Sequence, residues 1–142
     1  MIFSAFQRED ADNVFTVVRN VSGAALTAGE SVVWSVSSPD GVRVSVPATA
    51  TLSLFVGVVS EAMADSAYGK VQVYGYSSIA SVTNHTTQAI AAGDILIPAD
   101  SVKTLARSGA SDGKSGFVYA AESFATATTP AAAAKKVLIR AL

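Results

Sequence analysis

Residues 54 to 76 decide the fold, and they read Leu-Phe-Val-Gly-Val-Val-Ser-Glu-Ala-Met-Ala-Asp-Ser-Ala-Tyr-Gly-Lys-Val-Gln-Val-Tyr-Gly-Tyr. Two runs rich in β-forming residues, Leu54–Val59 and Lys70–Tyr76, flank a polar, alanine-rich link. The second run alternates, with Val71 and Val73 facing one side and the residues between and after them facing the other. This period of two predicts a strand with one face toward a core. The first run is apolar throughout and predicts a strand covered on both faces.

The composition predicts one soluble domain that packs against other protein. A chain of 142 residues is long enough to bury about two-thirds of its unfolded surface in one core. It has no cysteine, which excludes disulfides and thiolate metal sites. Charged residues make up 15% of the chain, against about 25% in an average protein. A surface with few charges and much alanine, serine and threonine favours burial against a partner.

The distribution of charge argues against nucleic acid and membrane as partners. The net charge is −1, and Lys135-Lys136 is the only adjacent basic pair, so no basic patch that could neutralise phosphates is visible. The N-terminus lacks the basic and apolar regions of a signal peptide. No apolar run approaches the roughly 20 residues that span a bilayer. We therefore expect a soluble product that is made in a cytoplasm.

Turn signals recur about every 8–12 residues and delimit about eight to ten short strands, which is the pattern of a β-sandwich or barrel. Outside the stretch quoted above, the predicted strands are Val14–Asn20, Ser31–Val36, Val42–Val46, Ile79–Val82, Asp94–Ile97, Val102–Ala106, Gly116–Glu122 and Val137–Leu142. The turn at Ser37–Gly41 predicts a hairpin. Pro130 followed by four alanines favours a helical turn, with Thr129 as its cap. The predicted core residues are Val56, Val58, Val71, Val73, Ile95, Ile97, Phe117 and Val137.

The second half of the chain repeats motifs of the first half in the same order. Ala28-Gly29-Glu30 returns as Ala92-Gly93-Asp94, and Lys70-Val71-Gln72-Val73 returns as Lys136-Val137-Leu138-Ile139. Phe55-Val56 followed by Glu61 returns as Phe117-Val118 followed by Glu122. The glycine before the acidic residue provides a turn that leads into a strand. The repeat predicts two similar, hairpin-rich halves packed face to face, and the alternative is chance similarity in a chain rich in valine, alanine and glycine.

The N-terminus is predicted to be an arm, residues 1–13, ahead of a single β domain, residues 14–142. Ile2, Phe3 and Phe6 place three large apolar groups ahead of a charged cluster, Arg8–Asp12. Docked on a neighbouring protein, they would be partner-binding residues, since each would bury apolar surface. The alternative is that they fill the core of their own chain as a first strand.

No constellation of residues predicts catalysis. His85 is the only histidine, and no acidic residue lies within eight positions of it, which favours an exposed loop residue. Residues 109–115, Gly-Ala-Ser-Asp-Gly-Lys-Ser, resemble a phosphate-binding loop but are one residue short of that motif. A strand rather than a helix is predicted to follow them, which favours a solvated loop. We expect no catalytic residue, no metal and no cofactor.

The order of these motifs resembles that of small capsid decoration, or cement, proteins of tailed bacteriophages. The matching pieces are Ala28–Val33, Leu54–Val59, Gly69–Gly75, Ala92–Ile97 and Gly116–Glu122. The resemblance implies a compact β-fold without enzymatic activity that sits on the outer shell and bridges neighbouring capsomers, often as trimers. The chain departs from the family in its Ala/Thr segment, Ala125–Ala134, and in its aromatic N-terminal arm. These departures leave the oligomeric state and the mode of attachment open.

We therefore expect a structural virion protein on the outer capsid surface, synthesised in the cytoplasm of a bacterial host. Its expected partners are the major capsid protein of a phage and copies of itself, as a trimer or alternatively a dimer. The alternative function is a β-domain of a phage tail or fibre, or a carbohydrate-binding module in which Trp34 and the tyrosines form a platform. A small hydrolase is a third interpretation, and it would need His85 beside a serine or a carboxylate.

Overall fold

The computed structural model describes residues 12–37, 39–84, 86–108 and 116–141. Within these ranges the chain forms nine β-strands and one short 3-10 turn, Thr49–Leu54, which confirms the predicted all-β class. The strands are β1 (Val14–Asn20), β2 (Ser31–Trp34), β3 (Arg43–Ser45), β4 (Phe55–Val59), β5 (Tyr68–Thr83), β6 (Ile95–Pro98), β7 (Leu105–Arg107), β8 (Val118–Ala120) and β9 (Ala132–Arg140).

The strands form two closed five-stranded rings that share the 16-residue strand β5. The first ring runs β1-β3-β2-β4-β5 and closes where β5 pairs with β1. The second runs β5-β7-β6-β8-β9 and closes where β9 pairs with β5. Residues 68–74 of β5 serve the first ring and residues 74–83 serve the second. Ring closure pairs strand edges that an open sheet would leave free.

Several backbone contacts of the first ring return in the second. In the first, Gly29 donates its N–H to the carbonyl of Val59 at 2.8 Å; in the second, Gly93 donates to Ala120 at 2.7 Å. The isolated bridge between Leu26 and Met63 returns as the bridge between Ile90 and Phe124. The predicted duplication is therefore present in the structure. The halves are not separate sheets, because β5 runs through both of them.

Strand β4 is buried on both faces, as the apolar run in the sequence predicts. Val56 and Val59 belong to the core of the first ring, whereas Phe55 and Val58 pack into the core of the second. The first core consists of Val18, Leu26, Val32, Val44, Val56, Val59, Met63, Val71 and Val73. The second consists of Phe55, Val58, Ala80, Val82, Ile90, Leu96, Leu105, Val118, Ala120, Val137 and Ile139. The outward face of β4 therefore joins the two halves.

Most predicted core residues are buried, and one prediction is wrong. The buried ones are Val56, Val58, Val71, Val73, Ile97 and Val137. Phe117 is half-buried and stacks on Phe55 with ring centroids 6.1 Å apart. Ile95 is 38% exposed, because β6 turns its neighbour Leu96 inward instead. Three consecutive apolar residues do not reveal which of them faces the core.

Two local predictions are corrected by strand pairing. The predicted strands Lys70–Tyr76 and Ile79–Val82 are parts of the single strand β5, which pairs with β9 on both sides of a register shift between Ser77 and Ala80. The predicted helical turn in the alanine run is wrong, since Ala132–Ala134 are the start of β9. Their pairing with β5 overrides the helical preference of alanine.

Candidate docking surface

The turns at Gly29 and Gly93 are each held by an ion pair. The Glu30 carboxylate accepts the backbone N–H three residues before it at 2.9 Å and lies 3.5 Å from Lys103 Nζ. The Asp94 carboxylate accepts the corresponding N–H at 2.9 Å and lies 3.0 Å from Arg107 Nε. Lys103 also donates to the carbonyl of Ala25, and Arg107 donates to the corresponding carbonyl of Ala89. These four charged side chains therefore stabilise turns.

Other carboxylates also serve the backbone. Asp65 accepts the N–H of Gly23 at 3.0 Å, and Glu122 accepts the N–H of Lys136 at 2.8 Å. Asp40 accepts two backbone N–H groups at 3.0 and 2.9 Å, and these bonds hold the pKa of its carboxyl below the usual range. None of these three carboxylates is placed as an acid–base pair with another.

Across the ranges that the structure describes, no group of three or more histidine or acidic residues could hold a metal ion. No helix in that part of the chain is long and apolar enough to cross a bilayer. His85, the loop 109–115 and the predicted partner-binding residues Ile2, Phe3 and Phe6 lie outside the described residues. Their assignments therefore stay predictions.

An apolar row crosses the outside of the second ring. Tyr76 on β5 lies opposite Leu138 on β9, which lies opposite Tyr119 on β8, which lies opposite Ile95 on β6. Directly opposed side chains have Cβ atoms about 5 Å apart and touch. Tyr119 is half-buried, and the other three side chains are 36% to 47% exposed. We call these four residues the outer row.

A buried amide supports the end of the outer row at Tyr76. Gln72 donates from Nε2 to the carbonyl of Tyr76 at 2.9 Å and to the Asn13 side chain at 3.0 Å. An added Cβ on Gly75, whose φ is +107°, would lie 2.2 Å from the Asp12 carbonyl oxygen, so only glycine lets the chain pass this closely. The Gln72 bonds and this close approach hold the tyrosine on a fixed backbone.

An open hollow of about 460 Å³ lies where β7 approaches the beginning of β9. Ala99, Val102, Ala106 and Pro130 make much of its lining apolar. The hydroxyls of Thr83 and Thr104, both in its lining, are 2.6 Å apart and satisfy each other. Arg107 is the one charged residue in the described part of the lining, and it is paired with Asp94. The hollow could take a small apolar group, and the lining residues that the structure describes include no set of catalytic side chains.

Sequence reasoning missed the outer row because its members are scattered along the chain. Its four residues come from four strands, and only ring closure makes them neighbours. One signal was available: Leu138 lies between the inward-facing Val137 and Ile139, where alternation expects a polar residue. The exposed leucine at this position is therefore the one sequence signal that could have pointed to an apolar surface row.

No protein-family model matches the chain, and no curated protein matches its sequence. The fold and the surface by themselves define a small all-β protein of two fused five-stranded rings with an apolar row on its outer face.

Proposed function

We propose that the chain is a structural virion protein that decorates the outer surface of a bacteriophage capsid and stabilises it by bridging neighbouring capsid subunits. The observation that carries the proposal is the outer row, an apolar stripe that runs across four paired strands. A stripe on paired strands can be buried by a partner with little rearrangement of the backbone. The resemblance in motif order to capsid decoration proteins supports the same function.

The energetics of the row suit a protein that binds in many copies. Leu138 and Ile95 are already partly buried, at 47% and 38% exposed, so completing the burial of either would contribute roughly 1 kcal/mol, less the cost of association. Such contacts are modest singly. They become effective when one subunit touches several neighbours, because every contact after the first is intramolecular. The partners proposed are the major capsid protein and further copies of the chain.

Binding to particles tests the proposal. Purified capsids that lack the chain are mixed with wild-type protein, sedimented, and imaged by electron cryomicroscopy. We expect saturable co-sedimentation and added density on the outer surface. A chain that stays in the supernatant at all concentrations, or that is absent from purified virions by mass spectrometry, would overturn the proposal.

A charge in the outer row tests which surface attaches. Leu138→Lys puts an ammonium group in the middle of the row, and we expect it to abolish binding to capsids while the melting temperature is retained. The matched control is Val36→Lys, which replaces another exposed aliphatic side chain outside the strands. If Leu138→Lys binds as tightly as Val36→Lys, the outer row is not the attachment surface.

The predicted arm is tested separately by deleting residues 1–7. If the truncated protein keeps its stability but no longer binds particles, Ile2, Phe3 and Phe6 are part of the attachment. If it unfolds, or if it binds as the full chain does, the attachment role of the arm is wrong. The result for Leu138→Lys is independent of this outcome.

The exposed tyrosines favour one second candidate, a carbohydrate-binding module. Tyr76 and Tyr119 lie in the same row, and an exposed aromatic ring can stack on a sugar. Titration with glycans from the host surface distinguishes the two functions. Glycan binding that is lost in Tyr76→Ala would favour the carbohydrate function over capsid decoration.

A further inference from the structure

The turn of the first half docks onto a strand edge of the second half. The carbonyl of Gly29 accepts the backbone N–H of Ser81, on β5, at 2.8 Å. The approach is so close that a Cβ added to Gly29 would lie 2.1 Å from the carbonyl oxygen of Ile79. β7 pairs with β5 only at Val82. The contact with Gly29 therefore covers a part of the β5 edge that β7 does not reach.

The duplication identifies the residues that correspond to this contact. Gly93 corresponds to Gly29, since both have φ above +90° and both donate to the equivalent strand of their own half. Val17 corresponds to Ser81. Val17 lies on β1 in the first ring, and β5, which carries Ser81, has the equivalent position in the second ring. Each of these pairs is 64 residues apart in the sequence.

In the described part of the chain, the second half has the turn but no strand edge beneath it. Gly93 is exposed, and a Cβ added to it would meet no atom of the described chain within 4 Å. Gly29, by contrast, is buried. The same turn is therefore covered in one half and open in the other.

The first half has the strand edge, and no turn lies on it within the ranges that the structure describes. The N–H of Arg19 points toward β3 and donates to the carbonyl of Val42 at 2.9 Å. Because backbone groups alternate in direction along a strand, those of Val17 and Phe15 point to the same side. β3 pairs only with Arg19 and Asn20, so Val17 and Phe15 have no strand partner there among the residues that the structure describes.

We propose that a second copy of the chain makes the missing contact: the Gly93 turn of one copy docks on the β1 edge of the next, with the Gly93 carbonyl accepting the Val17 N–H. Among the residues that the structure describes, each copy has one such free turn and one such free edge, so the association is head-to-tail and leads to a ring or an open chain. The side chains of Phe15 and Val17, 47% and 61% exposed, flank the edge and become covered. An unpaired strand edge with apolar flanks is a strong site for association. The proposal does not rest on capsid binding.

Two variants remove one side of the contact each. Val17→Pro removes the donor N–H from an edge strand, where proline is tolerated. Gly93→Asn adds a Cβ that would clash with the β1 edge in the docked geometry, and asparagine accepts positive φ better than most residues. The matched controls are Val36→Pro, at a side chain that is 62% exposed, and Gly23→Asn, at a glycine with φ of +80° and no neighbour of a Cβ within 4 Å.

Sedimentation velocity of the full chain is the measurement. We expect wild type and both controls to be oligomeric, and Val17→Pro and Gly93→Asn each to be monomeric with a retained circular dichroism spectrum. Mixing the two monomeric variants should give a 1:1 dimer, because Val17→Pro keeps an intact Gly93 turn and Gly93→Asn keeps an intact β1 edge. The dimer should not grow further, because its remaining turn and its remaining edge are the altered ones. A monomeric wild type, oligomers in Gly93→Asn, or a mixture that stays monomeric would overturn the proposal. If Val17→Pro does not fold, Val17→Lys takes its place, since an edge lysine blocks strand pairing.

Discussion

Asn20 and Asn84 occupy the same place in the two rings and have one side-chain hydrogen bond in common. Asn20 Nδ2 donates to the carbonyl of Ala64 at 3.2 Å, and Asn84 Nδ2 donates to that of Ala125 at 3.3 Å. Both side chains are buried. Each asparagine fixes the loop that leads into the closing strand of its own half.

We expect Asn20→Ala to destabilise the protein more than Asn84→Ala does. The Asn20 amide also donates to the Ala24 carbonyl at 2.7 Å and accepts the Ser22 N–H, whereas Asn84 makes one further bond within the described part of the chain, from the Ala131 N–H. Since lost bonds leave buried partners unsatisfied, the costs should be about 2–3 and about 1–2 kcal/mol. Urea unfolding of both variants measures them. Equal costs would contradict the assignment of the extra bonds.

Gly29→Ala and Gly93→Ala should differ sharply in stability although the two turns share their backbone shape. Both substitutions place an alanine at a positive φ, which costs about 1–3 kcal/mol of stability. Only at Gly29 does the new methyl group meet a backbone carbonyl, 2.1 Å away. We expect Gly29→Ala to lose at least about 2 kcal/mol more than Gly93→Ala, or not to fold. Thermal melts monitored by circular dichroism test the difference, and similar melting temperatures would refute it.

Val73→Ala and Ile95→Ala test the corrected core. Val73 is 5% exposed and sits in the first core, so its truncation should cost roughly 1–3 kcal/mol. Ile95 faces outward, and its truncation should change the free energy of unfolding by less than about 0.5 kcal/mol. Guanidinium titrations give both values. A large loss of stability in Ile95→Ala would support the prediction from sequence that this side chain is in the core.

The turn at Asp40 should respond to acid. Its two backbone N–H bonds favour the carboxylate and lower the pKa in the folded state. The stabilisation is therefore present above the pKa of the unfolded chain and is lost as the pH falls through the lowered folded value. Carbon-detected NMR titration should place the Asp40 midpoint below that of an unfolded peptide. A midpoint at or above the peptide value would show that these bonds do not persist in solution.

Local patterns predicted the strands best where the pattern was strong and the partner strand was long. The predicted bounds of Val14–Asn20 are those of β1, and the uniformly apolar run Leu54–Val59 contains the doubly buried β4. The repeated Gly-Glu and Gly-Asp motifs correctly predicted a duplicated architecture. A glycine followed by an acidic residue determines a turn within a few residues, so the sequence alone can reveal it.

The tertiary structure decided what depends on the partner across the ring. Ala132–Ala134 are extended because β5 pairs with them. The pairing of β6 with β8 decides that the side chain of Ile95 points outward. The outer row arises only from ring closure, since strand pairing joins residues that are tens of positions apart in the chain. Among the described residues, the β1 edge stays open at Val17 because β3 pairs only with Arg19 and Asn20. The sequence by itself determined where the chain extends and where it turns, through the short-range preferences of its backbone. Which residue of a uniformly apolar run such as Ile95–Ile97 faces outward, and which strand edges stay open, follow from long-range pairing, which no local pattern encodes.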